Sequence, residues 1–447
     1  MTSLKQLFGR FTRGEGNASG FSASVQTLGV NVAVLLVNVL TGIITARVLG
    51  PVGRGEQEAL MLWPVFLARA FTLGLPSAFV FHVRRNPKVA PYLVSASFIA
   101  APAAGLLATL VGVTFIPYWL DEYSADIVRM AQLFMLFTPI VLIEELCIAA
   151  MLARDEFKRF NTIRIIRPTA TLTLLVALAV FGVLTPSLAV FAYIAPTLPI
   201  TFYLSRLLWR SYQPRWFEGV RQLRRSLVML FSYGLRSYGN ELMTTLSENL
   251  GRALVVGMLT PGNMGLYVVS LSLARMLNVF QFAVVTVLFP RASGQPLATV
   301  MEMTGRAVRV STAVTCVAAL TLGALGPFAL TLLYSAEFSA GVTLMRLLIV
   351  ETVINGIIAV LIQALMATDR PGIATILQSV GIAASVPLLL VLVPLLGLNG
   401  AGVALLISAV MRLAFALASF PIFLGVPIPS LLIKVEDLKV LKRRVLG

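Results

Sequence analysis

The stretch LGPVGRG (49–55) returns 210 residues later as LTPGNMG (259–265). Both fit L-x-P-x-x-x-G, and the pairs Leu49/Leu259, Pro51/Pro261 and Gly55/Gly265 keep one offset. Each copy ends one long apolar run and opens another. A proline after a turn suits the first turn of a helix, where its missing N–H is not needed. Two matching turns at a fixed offset mark an internal repeat. If each half holds six spanning helices, an even number, both halves insert in the same orientation. The expected symmetry is then a pseudo-two-fold along the membrane normal, with a site between the halves.

Composition agrees with a chain that lives in lipid. Of 447 residues, 58% are hydrophobic and only 12% charged, with a mean hydropathy of +0.90. A soluble domain is nearer half apolar and a quarter charged, so a soluble multidomain enzyme and a disordered chain are both excluded. A spanning helix needs about 20 mostly apolar residues. Apolar runs place helices near 24–47, 56–81, 91–116, 126–152, 162–183, 188–209, 227–258, 263–288, 305–333, 342–367, 372–396 and 401–424. The fold class expected is an all-α polytopic membrane protein of about twelve helices, in two six-helix lobes around a central cavity. The chain divides into a cytoplasmic amphipathic segment (1–23), an N-terminal lobe (24–209), a basic linker (210–226), a C-terminal lobe (227–424) and a basic tail (425–447).

The net charge of +16 reads as topology rather than as nucleic-acid binding. Basic residues collect in cytoplasmic loops. Five of the 35 Lys+Arg (Arg47, Arg54, Arg129, Arg252 and Arg346) fall in odd-to-even connections, and four lie within helices. The remaining 26 lie at or near the termini and the even-to-odd connections, which puts both termini in the cytoplasm. Leu4, Leu7, Phe8 and Phe11, with Lys5, Arg10 and Arg13 between them, describe a basic helix lying on a membrane surface. The first apolar run has full spanning length, unlike a signal peptide. Cys147 and Cys316 both sit in apolar runs, so a disulfide framework is not expected. One histidine, His82, rules out a His-rich metal site. No G-x-x-x-x-G-K-[ST] occurs, and neither a cofactor nor a metal is expected.

Polar residues form stripes at helical spacing. Thr27, Asn31, Asn38 and Thr45 share a face of the first helix, and Glu58, Arg69 and Thr72 a face of the second. Tyr233, Ser237, Glu241, Thr244, Glu248 and Arg252 stripe the seventh, and Tyr267, Ser270, Asn278 and Gln281, bordered by Arg275, the eighth. Nine charged residues lie within spans away from their ends: Glu144, Glu145, Glu241, Glu248, Glu351, Arg69, Arg236, Arg275 and Arg412. Each would cost about 2.5–3.5 kcal/mol or more facing lipid at the centre, so most must be paired or wet. Glu248 can pair with Arg252 at i+4, and Glu351 with Asn355. Arg69 has no acidic residue close in sequence, which makes it the first candidate for a cavity cation. Pro139, a turn before Glu144 and Glu145, marks a kink in the fourth helix.

ARVLGPVGRG (46–55) resembles the turn after the first helix of polysaccharide flippases, members of the multidrug/oligosaccharidyl-lipid/polysaccharide exporter superfamily. TPGNMGLYVVSLSLARML (260–277), LFPRAS (288–293), LLYSAEFSAG (332–341), MATDRPG (366–372) and LGLNGAGVA (396–404) are similar to later family segments in the same order. The resemblance implies that polyprenyl-diphosphate-linked oligosaccharides pass from the cytoplasmic to the outer leaflet of a bacterial inner membrane. It implies that cationic cavity residues, here Arg69, Arg275 and Arg47, meet the diphosphate or acidic sugars. Asn31, Asn38 and Asn278 are the polar-stripe positions that would meet sugar hydroxyls. The sequence departs from the family pattern twice. Gly251 stands where many relatives carry an Asp, and Ser335 replaces the common Gly of the outer loop.

Without an ATP-binding loop of the common kind, transport would run on an ion or substrate gradient. Glu248, then Glu241, are the ion-coupling candidates. The partners expected are the lipid-linked glycan, membrane lipids and glycan-assembly membrane proteins, and no nucleic acid. Two other readings compete: an ion-coupled multidrug exporter of the same superfamily, and a membrane-embedded glycan polymerase or ligase. The last would need a sizeable outer loop with convergent His, Arg or acidic groups, which the sequence lacks. A drug exporter for cations should favour acidic over basic cavity groups.

Overall fold

The structure is a computed structural model that describes residues 18–215, 219–292, 295–368 and 370–431. The expected surface helix at the N-terminus falls at 1–17, outside the described residues, as do 216–218 of the linker and 432–447 of the tail.

The described residues are helical and cross the membrane twelve times. Span 1, α1 (18–49), meets α2 (51–70) at Gly50. Gly50 has φ 66° and ψ −176°, a region that only glycine enters freely, and Pro51 then opens the next helix. Span 2 continues from α2 into α3 (Leu75–Arg85) across a break at 71–74. Spans 3 to 6 are α4 (Ala90–Trp119), α5 (Ala125–Phe134) with α6 (Thr138–Ala153), α7 (Phe157–Val180), and α8 (Pro186–Ile194) with α9 (Thr197–Tyr212). Span 7 is α10 (Val220–Val256), and span 8 is α11 (Pro261–Arg275) with α12 (Asn278–Ala292). Spans 9 to 12 are α13 (Leu297–Ala329), α14 (Val342–Ala367), α15 (371–396) and α16 (398–419), the last two separated by Gly397.

Eight segments are long and apolar enough to cross a membrane by themselves. Two of them, Gly29–Ala70 and Gly372–Leu424, contain two passes each, so the eight cover ten spans. The remaining two are span 7, which is polar, and span 8, which is broken. Spans of that kind need protein or water against one side, because lipid cannot satisfy their polar groups.

The breaks are chemically satisfied. In span 4 a 3₁₀ turn, Met135–Phe137, precedes Pro139, so the expected kink is present. Thr109 Oγ1 donates to the Met135 carbonyl at 2.8 Å, replacing a helix bond lost there. In span 2 the Ala70 carbonyl accepts from the Tyr238 hydroxyl of span 7. Ser335 has φ 175° and ψ 169°, extended backbone open to any residue, so the turn after span 9 does not need the family's glycine. Tyr334 and Phe338, both buried, pack there with ring centroids 6.0 Å apart.

The apolar core reveals how the halves meet. One end of the bundle carries the 50/51 turn and the 257–260 connection, and is called here the first-turn end. The opposite end, where the described chain begins and ends, is the terminal end. At the first-turn end a single cluster joins both lobes, from Leu60, Trp63 and Leu120 to Tyr267, Tyr334 and Leu344. Toward the terminal end it gives way to two clusters. One is built on Phe79, Leu93, Leu142 and Leu204, with Leu230 of span 7; the other is on Leu288, Val308, Leu361 and Phe420. The lobes are fused at the first-turn end; toward the other, span 7 stays packed on the N-terminal lobe through Leu223, Leu227 and Leu230, while the later C-terminal spans form a cluster of their own.

Candidate functional site

The fused end is built on the repeated turn. A Cβ added at Gly55 would land on the Pro261 carbonyl oxygen, and one added at Gly265 would land on that of Pro51. Since 51 matches 261 and 55 matches 265, this is one contact made twice across a pseudo-two-fold. Polar bonds surround it. Arg252 Nη1 lies 3.5 Å from Glu58 Oε1, and its Nη2 donates to Asn249 Oδ1 at 2.7 Å. Trp119 Nε1 donates to the Ala253 carbonyl at 2.7 Å. Arg47 Nη2 donates to the Leu332 carbonyl at 2.6 Å. Arg47 thus ties span 1 to the end of span 9 at the first-turn end. Tyr123, in the turn after span 3, is buried beside Glu58. Burial first, then the charges of Glu58 and Glu56, push its phenol upward, so it remains neutral.

Span 7 also touches span 2 nearer the terminal end. Gly74 and Gly234 approach so closely that a Cβ on Gly74 would strike the Gly234 backbone and one on Gly234 the Leu73 carbonyl. Beside them Ser77 Oγ donates to Glu241 Oε1, and Phe81 stacks on Tyr233 with centroids 4.1 Å apart. Glu241 is therefore a carboxylate that joins the two lobes.

The N-terminal lobe gathers three guanidiniums. Arg69, at the end of α2, has its Nε 3.8 Å from Glu145 Oε1 of α6, and its side chain is 46% exposed. The acidic partner absent from Arg69's sequence neighbourhood is supplied by span 4. Glu144, only 3% exposed, is ion-paired with Arg167 of α7. Adjacent residues on a helix point about 100° apart, so α6 gives one carboxylate to span 2 and the other to span 5. Arg164, one turn from Arg167, donates to Asn31 Oδ1 at 2.7 Å and lies 5.4 Å from the Phe160 ring centroid.

In the C-terminal lobe Glu351 accepts from Asn355 Nδ2, and Asn355 Oδ1 in turn accepts from Arg412 of α16. The expected Glu351–Asn355 pair thus extends to a third residue and ties span 10 to span 12. Arg275 ends α11 beside the break of span 8 and is exposed, within electrostatic reach of Glu351. Asn278, the first residue past the break, and Asn38 of span 1 are exposed as well. They lie on helices that turn elsewhere for their packing: α12 against α13 and α14, α1 against α7.

Two features differ from the pattern of the sequence. Arg252 turns away from Glu248 and pairs with Glu58 of the other lobe. Glu248 is exposed and has no ion-pair partner among the described residues. Arg164 and Arg167, counted by sequence with the cytoplasmic basic residues, lie seven and ten residues into α7. At 1.5 Å per residue Arg167 is about 15 Å along the helix from its start. The spacing Arg164-x-x-Arg167 inside an apolar run was the available signal. A side chain at Gly251 would meet Leu405 of α16 at ordinary contact distance. Among the described residues no group of three His, Cys, Asp or Glu could hold a metal ion.

A family model described as "Polysaccharide biosynthesis protein" matches residues 24–294. No curated protein matches the sequence. Among solved structures, the lipid II flippase MurJ in an inward closed conformation aligns with a TM-score of 0.73 at 12% identity, over 95% of this chain and 90% of that one. An inward-facing multidrug resistance MATE family transporter aligns at 0.68 and 12% identity, over 93% and 96%. A transporter of the same superfamily from Pyrococcus furiosus aligns at 0.60 and 13% identity, over 93% and 96%. At these identities the likeness is one of fold.

Proposed function

The chain belongs to the polysaccharide biosynthesis protein family, and from that premise we propose that it flips polyprenyl-diphosphate-linked oligosaccharide from the cytoplasmic to the outer leaflet by alternating access. It is a multi-pass membrane transporter of that family. On our reading the termini are cytoplasmic and the membrane is a bacterial inner membrane. The first-turn end, where one apolar cluster joins both lobes, then faces outward.

The observation that carries the reading is the charge borne by exposed side chains within the spans. Arg69 in one lobe and Arg275 in the other stay exposed within the membrane-spanning region. Glu144 is buried against its own partner. A lipid diphosphate carries about two negative charges, and guanidinium forks suit phosphate oxygens. Exposed Asn38 and Asn278 suit sugar hydroxyls, while the polyprenyl tail can stay in lipid.

One observation favours a second reading. Glu248 is an exposed carboxylate without an ion-pair partner among the described residues, which would suit a cationic drug as well as a coupling ion. The test is reconstitution. Proteoliposomes holding the purified protein should expose a lipid-linked oligosaccharide to an outside lectin or glycosidase faster than empty liposomes do. Accumulation of cationic dyes with no flipping of the glycan lipid would select the multidrug reading instead.

A further inference from the structure

The three guanidiniums of the N-terminal lobe are not equally free. Arg167 is held by a buried carboxylate, Glu144. Arg69 has Glu145 at 3.8 Å. Arg164 has only a neutral amide, Asn31, and an aromatic ring, Phe160. No carboxylate among the described residues lies within ion-pair distance of it. A guanidinium carries five N–H donors in a rigid fork. One of them goes to Asn31, and the half-buried side chain leaves others to the space beside it.

Position adds to this. Arg164 is one turn nearer the terminal end than Arg167, the end at which the C-terminal spans after span 7 form a cluster separate from the N-terminal lobe. A group entering from there meets Arg164 before Arg167. The Arg69–Glu145 pair beyond is long and half exposed, so little holds it against a competing anion. A cation within a span, with no counter-charge among the described residues, is costly.

We propose that Arg164 is the first anchor for the diphosphate of the transported lipid. Asn31 and Phe160 hold its fork in place, and Arg69 accepts the anion next as Glu145 lets go. The proposal rests on the flippase reading and names the group that would confer selectivity for a phosphorylated headgroup. Asn31 is then a positioning residue rather than a sugar ligand.

The test uses the full-length protein and two probes. Inorganic pyrophosphate should raise the unfolding temperature of the wild type in nanodiscs saturably. Arg164→Gln should lose that rise, Arg164→Lys should keep part of it, and Asn31→Ala should weaken it less than Arg164→Gln does. In proteoliposomes, Arg164→Gln should raise the half-saturating concentration of lipid-linked oligosaccharide about tenfold or more, the size of a lost charge-assisted hydrogen bond. Its maximal rate should stay within about threefold, as expected for a group that binds rather than drives. A wild type indifferent to pyrophosphate overturns the assignment. So does an Arg164→Gln variant that keeps the response, or an Asn31→Ala variant equal to Arg164→Gln in both assays, which would make Arg164 a pin between spans 1 and 5. If pyrophosphate binds through Arg164 but no glycan lipid is flipped, the anion site stands and the flippase reading falls.

Discussion

Gly55 and Gly265 face each other across the pseudo-two-fold, and each leaves room for the proline carbonyl that follows the other's preceding helix. The Gly265 nitrogen itself lies only 2.9 Å from where a Gly55 Cβ would be. Backbone is the obstacle on both sides, so no side-chain rotation can relieve a substitution. Gly265→Val should open the first-turn end, with an overpacking cost of about 1–3 kcal/mol, and slow transport. A cysteine at Gln57, fully buried here, should become reactive to a membrane-impermeant reagent in that variant. Unchanged protection would show that the contact is not the closure.

The Arg69–Glu145 pair supplies a second prediction. Arg69→Ala should abolish glycan export while the protein still inserts, and Arg69→Lys should retain part of it. Export at the wild-type level by the alanine variant, at normal protein abundance, would remove Arg69 from the mechanism.

Glu58 is buried and has Arg252 as its counter-charge. Arg252→Ala would strand that carboxylate, and unfolding should cost up to about 3 kcal/mol less. Thermal unfolding of the single variant and of Glu58→Gln/Arg252→Gln measures it. The double variant should recover part of the loss. Equal losses would mean that the pair does not couple the lobes.

Coupling is tested at the free carboxylate. In liposomes, flipping by the wild type should respond to an imposed proton or sodium gradient, and Glu248→Gln should lose the response. Glu241→Gln, by contrast, would loosen the bond to Ser77 that joins spans 2 and 7. If Glu248→Gln keeps the full gradient dependence, the coupling site lies elsewhere; if the wild type ignores both gradients, the ion-driven mechanism is wrong.

Orientation follows from the distribution of basic residues. A cysteine at Ser187, near the first-turn end, should be labelled from outside the cell. One at Ser211, at the terminal end, should be labelled only from inside. The reverse pattern would invert the orientation assigned to the bundle.

The sequence alone determined the twelve passes and their pairing into two like halves. Both follow from local quantities: the length of apolar runs, and turn chemistry at a fixed offset. It also marked Arg69, Arg275, Glu241 and Glu248 as costly residues that needed a reason to lie in a membrane. Tertiary structure decided who answers them. Glu145 reaches Arg69 from 76 residues away, and Arg252 prefers Glu58 in the other lobe to Glu248 on its own helix. Such choices depend on how helices rotate against one another, and helical periodicity fixes a face but not the neighbour it meets. Arg164 and Arg167 fall inside the fifth apolar run, near its start, and only the packed bundle shows which one lies against a carboxylate and which beside a neutral amide.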